Sequence, residues 1–145
     1  MEYSLKVWTL IALGAGICLF AFWKGDRAER IAGALILANL ALTVAGDFVF
    51  GRAMPLVQLV GDGVTALGLL ALALRYASLW LGGAMLLYAV QFSLHSYYFV
   101  SNRPVDILHA VINNFDFMGV LLCLAVGTAV SARRRANRAQ LQGAS

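Results

Sequence analysis

The chain has 145 residues, of which 61% are hydrophobic and only 12% charged, with a formal net charge of +4. A typical soluble domain is roughly 45–50% apolar and about 25% charged. A fold of this length could not cover so much apolar surface, so a water-soluble globular enzyme is excluded; disorder is excluded too, because it needs low hydrophobicity. An integral membrane domain is left.

The apolar residues fall into five runs, at 5–23, 31–50, 56–74, 79–100 and 105–130. Each reaches the roughly 20 residues that cross a ~30 Å hydrocarbon core. The first is long for a signal-peptide core and is followed by Lys24-Gly25-Asp26-Arg27, which offers no small-residue cleavage site. A retained membrane helix is therefore expected there. Charged or proline-bearing breaks at 24–30, 51–55 and 101–104 separate most of the runs. The break at Arg75-Tyr76-Ala77-Ser78 holds neither Gly nor Pro. One helix over 56–100 would nevertheless be about 67 Å long, more than twice the membrane, so the chain is expected to turn at this tetrapeptide.

Basic residues orient the bundle. With five spans and the carboxyl terminus inside, Lys24, Arg27, Arg30, Arg75, Arg133, Arg134, Arg135 and Arg138 lie on the inner side and Lys6, Arg52 and Arg103 on the outer. Eight against three favours the arrangement with the amino terminus outside. Trp8, Tyr97 and Tyr98 then sit toward the outer interface, and Trp23, Tyr76 and Trp80 toward the inner, as aromatic belts do. The expected fold class is all-α: a five-helix transmembrane domain over residues 1–132 and a basic cytoplasmic tail over 133–145, frayed after Ser131. A bacterial inner membrane is the expected location. The basic residues form no base-stacking face, so nucleic acid is not an expected partner. Cys18 and Cys123 lie within apolar runs and read as small apolar fillers. Ala34, Ala38, Ala41 and Ala45 recur at helical spacing in the second run, with Ala12 and Gly16 in the first; small faces of this kind allow close helix approach.

Polar residues in a membrane span usually face the bundle interior or a watery cavity. The second run carries Asn39, Thr43 and Asp47 on one face; the third carries Gln58, Asp62 and Thr65. The fourth carries Tyr88, Gln91, His95 and Tyr98, and the fifth Asp106, His109, Asn113 and Asp116, both at the spacing i, i+3, i+7, i+10 that keeps a single stripe. Under the five-span arrangement, Asp47, Asp62, His95, His109, Asn113 and Asp116 all fall in the outer half. An outward-facing polar pocket above an apolar floor is expected, with Asp62, His95 and His109 lining it and Asp47, Gln91, Tyr98, Asn113 and Asp116 in support. Gly61 and Gly63 flank Asp62 and would let another backbone come near.

Several chemistries fit this residue set. The pocket is expected to bind a cation, a metal or a small polar or lipid head group. His95, His109 and Asp62 have the donor types for a divalent metal such as zinc, which in a membrane pocket would activate water for hydrolysis. The two histidines are also possible axial ligands of a b-type haem, with Arg52 or Arg103 near the propionates. Aspartates with a histidine relay suit proton or cation transport. The last reading makes the same residues interhelical hydrogen bonds in an accessory or assembly subunit, either of a larger membrane complex or of a homo-oligomer. Whether the protein is an enzyme is left open by the sequence.

Overall fold

The computed structural model describes the backbone of residues 5–143 and the side chains of residues 8–143 apart from Asp47, Phe48 and Arg52. The described residues form five α-helices, one short 3-10 turn and no strand. The helices are α1 (Leu5–Lys24), α2 (Arg27–Phe50), α3 (Met54–Tyr76), α4 (Leu79–Val100) and α5 (Ile107–Gly143), with the 3-10 turn Gly51–Ala53 between α2 and α3. Three segments are long and apolar enough to cross a membrane: Arg27–Gly46, Met54–Tyr76 and Ile107–Gly143. In α1 the described apolar stretch is Trp8–Lys24. Gln91, His95 and the neighbouring serines and tyrosines lower the hydropathy of α4.

Short connections dictate the arrangement, because a helix joined to the next by a few residues packs antiparallel beside it. Each helix packs on its successor, and α1 packs on α5 to close the ring. The apolar core lies inside it: Cys18 and Ala21 from α1, Ile36 from α2, Leu69 and Leu72 from α3, Leu81 and Ala84 from α4, and Val120, Leu121 and Leu124 from α5. Cys18 belongs to this core and Cys123 packs against it. Close helix approach is made at glycines. A Cβ on Gly68 would meet the Leu35 side chain at 2.7 Å, and one on Gly127 would meet the Trp80 indole at 2.5 Å. The alanine face expected to mediate close approach is not used within the bundle; Ala34, Ala38, Ala41 and Ala45 are all exposed on its outside, as are Ala12 and Gly16.

The helix limits differ from the apolar runs in three places. First, α2 begins at Arg27, four residues earlier than its apolar run, because Asp26 and Glu29 form a capping box. In it the Asp26 N–H donates to Glu29 Oε2 at 2.9 Å, which satisfies an otherwise orphaned helix-start donor. Second, α3 ends at Tyr76 with Ala77 in the left-handed region (φ 47°, ψ 43°) and its N–H on Ala73 O; the chain does turn at the tetrapeptide, without a glycine. Third, the expected frayed tail is helical through Gly143. Residues 131–142 are mostly Ala, Arg, Gln and Leu, all good helix formers, and α5 is about 55 Å long at the helical rise. Its far part is tied back to the bundle. Ser131 Oγ donates to Glu29 Oε1 at 2.7 Å, Arg135 Nε lies 3.3 Å from Asp26 Oδ1, and the Arg135 guanidinium also donates to the Lys24 carbonyl.

Candidate functional site

The polar residues gather toward the end of the bundle that carries the α4–α5 connection. Asp62 on α3 is 2% exposed, and both of its carboxylate oxygens are engaged. Asn39 Nδ2 on α2 donates to Oδ1 at 2.9 Å, and His95 Nδ1 on α4 pairs with Oδ2. A buried carboxylate needs such partners, since an isolated charge away from water is very costly. A carboxylate against Nδ1 fixes the orientation of the imidazole ring. Asp62 thus orients His95, and Asn39 in turn orients Asp62.

Gly61 brings α2 close enough for this contact. A Cβ built on Gly61 would lie 2.6 Å from Asn39 Oδ1, and one on Gly63 would lie 3.2 Å from the Phe92 ring. The two glycines therefore admit side chains from α2 and α4, where the sequence had led us to expect a backbone.

His109 on α5 stacks on His95, ring centroids 5.1 Å apart and planes at 29°. Tyr98 meets the His109 ring edge-on at 4.7 Å. The Tyr98 hydroxyl donates to Asp106 Oδ1 at 2.6 Å, and the same oxygen accepts the His109 backbone N–H at 2.9 Å. Asp106 thereby caps α5, as a carboxylate at a helix start should. These contacts hold its carboxyl below the ordinary aspartate range, chiefly through the Tyr98 hydroxyl and then the His109 N–H. Near the same end, Arg103 Nη1 donates to Tyr97 Oη at 3.1 Å. His95, His109 and Tyr98 line a cavity of about 430 Å³, together with Gln58, Asn102 and Arg103 among polar groups and Pro55, Phe99 and Val105 among apolar ones. No described carboxylate lines it.

The remaining expected residues are distributed differently. Gln91 and Asn113 hydrogen-bond to each other, Nε2 to Oδ1 at 3.2 Å. They line a separate, smaller cavity and not the one that holds the histidines. Asp116 lines neither described cavity; it is 7% exposed, and its Oδ2 has no partner among the described residues. The side chains of Asp47 and Arg52 lie outside the described residues. Glu29, which the sequence reading counted only as part of a charged break, is a buried carboxylate that joins α2 to α5. The Asp26-Arg27-Ala28-Glu29 pattern ahead of an apolar run was the signal for it.

The geometry bears on the cofactor readings. Two imidazoles stacked face to face leave no gap for a macrocycle between them, so this arrangement does not fit bis-histidine haem. Among the described residues no group of three His, Cys, Asp or Glu side chains is disposed to hold a metal ion. Asp62 and His95 face each other as a pair, and His109 meets the flat of the His95 ring. On the far side of the polar cluster the buried core from Leu69 and Leu72 to Leu121 and Leu124 is apolar, and no described polar chain crosses it. No family model, no curated protein and no solved structure matches the chain.

Proposed function

We propose that this chain is a five-span membrane protein whose cavity beside His95 and His109 binds the anionic or polar head group of a lipid at the outer face. In this reading the amino terminus is outside, the carboxyl terminus is in the cytoplasm, and the membrane is a bacterial inner membrane. The excess of Lys and Arg on the side of the α5 extension supports the orientation. Helices α1 and α4 complete the ring with the other three, and both are apolar along most of their length.

The observation that carries the binding assignment is the charge of the cavity wall. It presents one guanidinium and two imidazoles, with the amides of Gln58 and Asn102, and no described carboxylate. Asp62 has both oxygens occupied by Asn39 and His95, and Asp106 Oδ1 is taken by Tyr98 and the His109 N–H. A cation would meet no described carboxylate there; an anion would find the Arg103 guanidinium and the side-chain amides of Gln58 and Asn102 as donors. Arginine suits phosphate and carboxylate groups because its planar fork offers several donors at once. Phe99, Val105 and Pro55 supply apolar contact for the rest of an amphiphile.

The test is lipid retention. Purified protein in nanodiscs of mixed phosphatidylglycerol and phosphatidylcholine should retain phosphatidylglycerol preferentially in native mass spectrometry. Arg103→Ala should reduce that preference roughly ten-fold, which corresponds to about 1.4 kcal/mol. Equal retention of the two lipids by the native chain would remove the proposal. A second reading draws on the interhelical bonds Asn39–Asp62 and Gln91–Asn113: the polar residues hold helices together, and the protein is an accessory subunit of a membrane complex or a homo-oligomer. That reading expects no lipid preference and a stable partner on mild extraction.

A further inference from the structure

The smaller cavity lies on the other side of the Asn39–Asp62–His95 chain, between α1, α2, α4 and α5, and has a volume of about 130 Å³. Its polar wall is Asn39, Thr43, Tyr88, Gln91, Asn113 and Asn114. Gln91 is 8% exposed, and its amide is used at one end only: Nε2 donates to Asn113, while Oε1 has no partner among the described residues. An unpaired buried acceptor costs about 1–3 kcal/mol, so a built wall with one acceptor left over calls for a hydrogen-bond donor inside it.

The chemistry of that donor can be narrowed. None of the described lining side chains is charged, so an ion entering the cavity would exchange its hydration shell for neutral dipoles with no counter-charge. The wall combines amide and hydroxyl groups that both give and accept hydrogen bonds. A hydroxyl does the same, offering one donor and two acceptor sites. A cavity of about 130 Å³ has room for several water-sized groups, which suits a skeleton of a few heavy atoms. Ile11 and Phe117 add apolar contact for carbon.

We infer that this chamber is a binding site for a small uncharged polyol of glycerol size, either free or as the head group of a neutral glycerolipid, with Gln91 Oε1 as the acceptor that selects it. The site is distinct from the cavity beside His95 and does not rest on the head-group reading given above.

Saturation-transfer NMR on the full chain in phosphatidylcholine nanodiscs tests it, with glycerol and a short-chain monoacylglycerol as probes. The native protein should give a saturable signal with at least one of them. Gln91→Met keeps the side-chain volume and removes the acceptor, and should weaken binding at least ten-fold. Asn114→Leu changes an exposed residue at the wall and so keeps the inference testable if the first variant does not fold; it should weaken binding about three-fold. A signal from glycerol assigns the free polyol, and one from the monoacylglycerol alone assigns the lipid. No signal from either probe overturns the inference. So does native-like binding in the folded Gln91→Met protein or, where that variant does not fold, in Asn114→Leu.

Discussion

Gly61 on α3 stands against the side chain of Asn39 on α2, so closely that a Cβ at position 61 would come within 2.6 Å of Asn39 Oδ1 and 3.1 Å of a Leu42 methyl. Asn39 has little freedom to retreat, because its Nδ2 is held on Asp62. Gly61→Ala should therefore push Asn39 off the carboxylate and overpack the α2–α3 contact, at a cost of about 1–3 kcal/mol. Gly63→Ala, which meets only the Phe92 ring at 3.2 Å, should cost less. Thermal unfolding in detergent of both variants checks the order, and equal melting temperatures would refute it.

The Asp62–His95 pair gives a second prediction. Asp62 Oδ2 and His95 Nδ1 are paired with each other, so removing either leaves the other with a buried atom unsatisfied, at about 1–3 kcal/mol. Asp62→Asn and His95→Gln should each destabilise the bundle, and the double variant should lose less than the two losses added together. Contacting residues show couplings of about 0.5–3 kcal/mol in such cycles. Denaturation of the four proteins measures the coupling; strict additivity would mean that the pair contributes nothing as a pair.

Much of the helix layout was legible because apolar run length and charged breaks are direct consequences of the bilayer as solvent. A turn within 56–100 followed from length, and the charge and polar residue of Arg75-Tyr76-Ala77-Ser78 placed it; that Ala77 carries it did not follow. What escaped was set by local chemistry and by depth. The start of α2 at Arg27 depends on the Asp26–Glu29 box, and the tail stays helical because its composition favours a helix even where its apolarity ends. In the site, helical spacing placed Gln91 and His95 on one stripe, and they do share a face. A stripe does not say which neighbour each residue meets. Gln91 lies four residues, about 6 Å, deeper than His95, and that offset puts it in the smaller chamber with Asn113. The pairing of Asp62 with Asn39 was equally hidden, since both were visible only as members of separate helical faces.

Ala77 carries a conformation that alanine dislikes. With φ 47° and ψ 43° its Cβ crowds the following carbonyl, at a cost of about 1–2 kcal/mol, and helix ends of this kind usually carry glycine. Ala77→Gly relieves that strain and returns part of the gain as greater freedom of the unfolded chain. A net stabilisation of about 0.5–1 kcal/mol is expected, read as a higher melting temperature in detergent. A fall would show that the alanine methyl makes a contact worth more than the strain.

Asp106 supplies the pH dependence. It lies in the α4–α5 connection, outside the helices, and its carboxyl is held below the ordinary range first by the Tyr98 hydroxyl and then by the His109 N–H. A group whose folded pKa is depressed contributes stability that is fully present above its unfolded value, near 3.9 for aspartate. That stability is lost as pH falls through the lower, folded value. Asn at this position still caps a helix but does not titrate. The native protein should therefore melt above Asp106→Asn at neutral pH, and the gap should close on acidification below about 4. Both melting temperatures will move with the other carboxylates, so the quantity to follow is the difference between them. A gap that stays constant down to the acid limit would mean that the charge of Asp106 contributes nothing to the cap, and that the Tyr98 hydroxyl serves equally well bound to a neutral side chain.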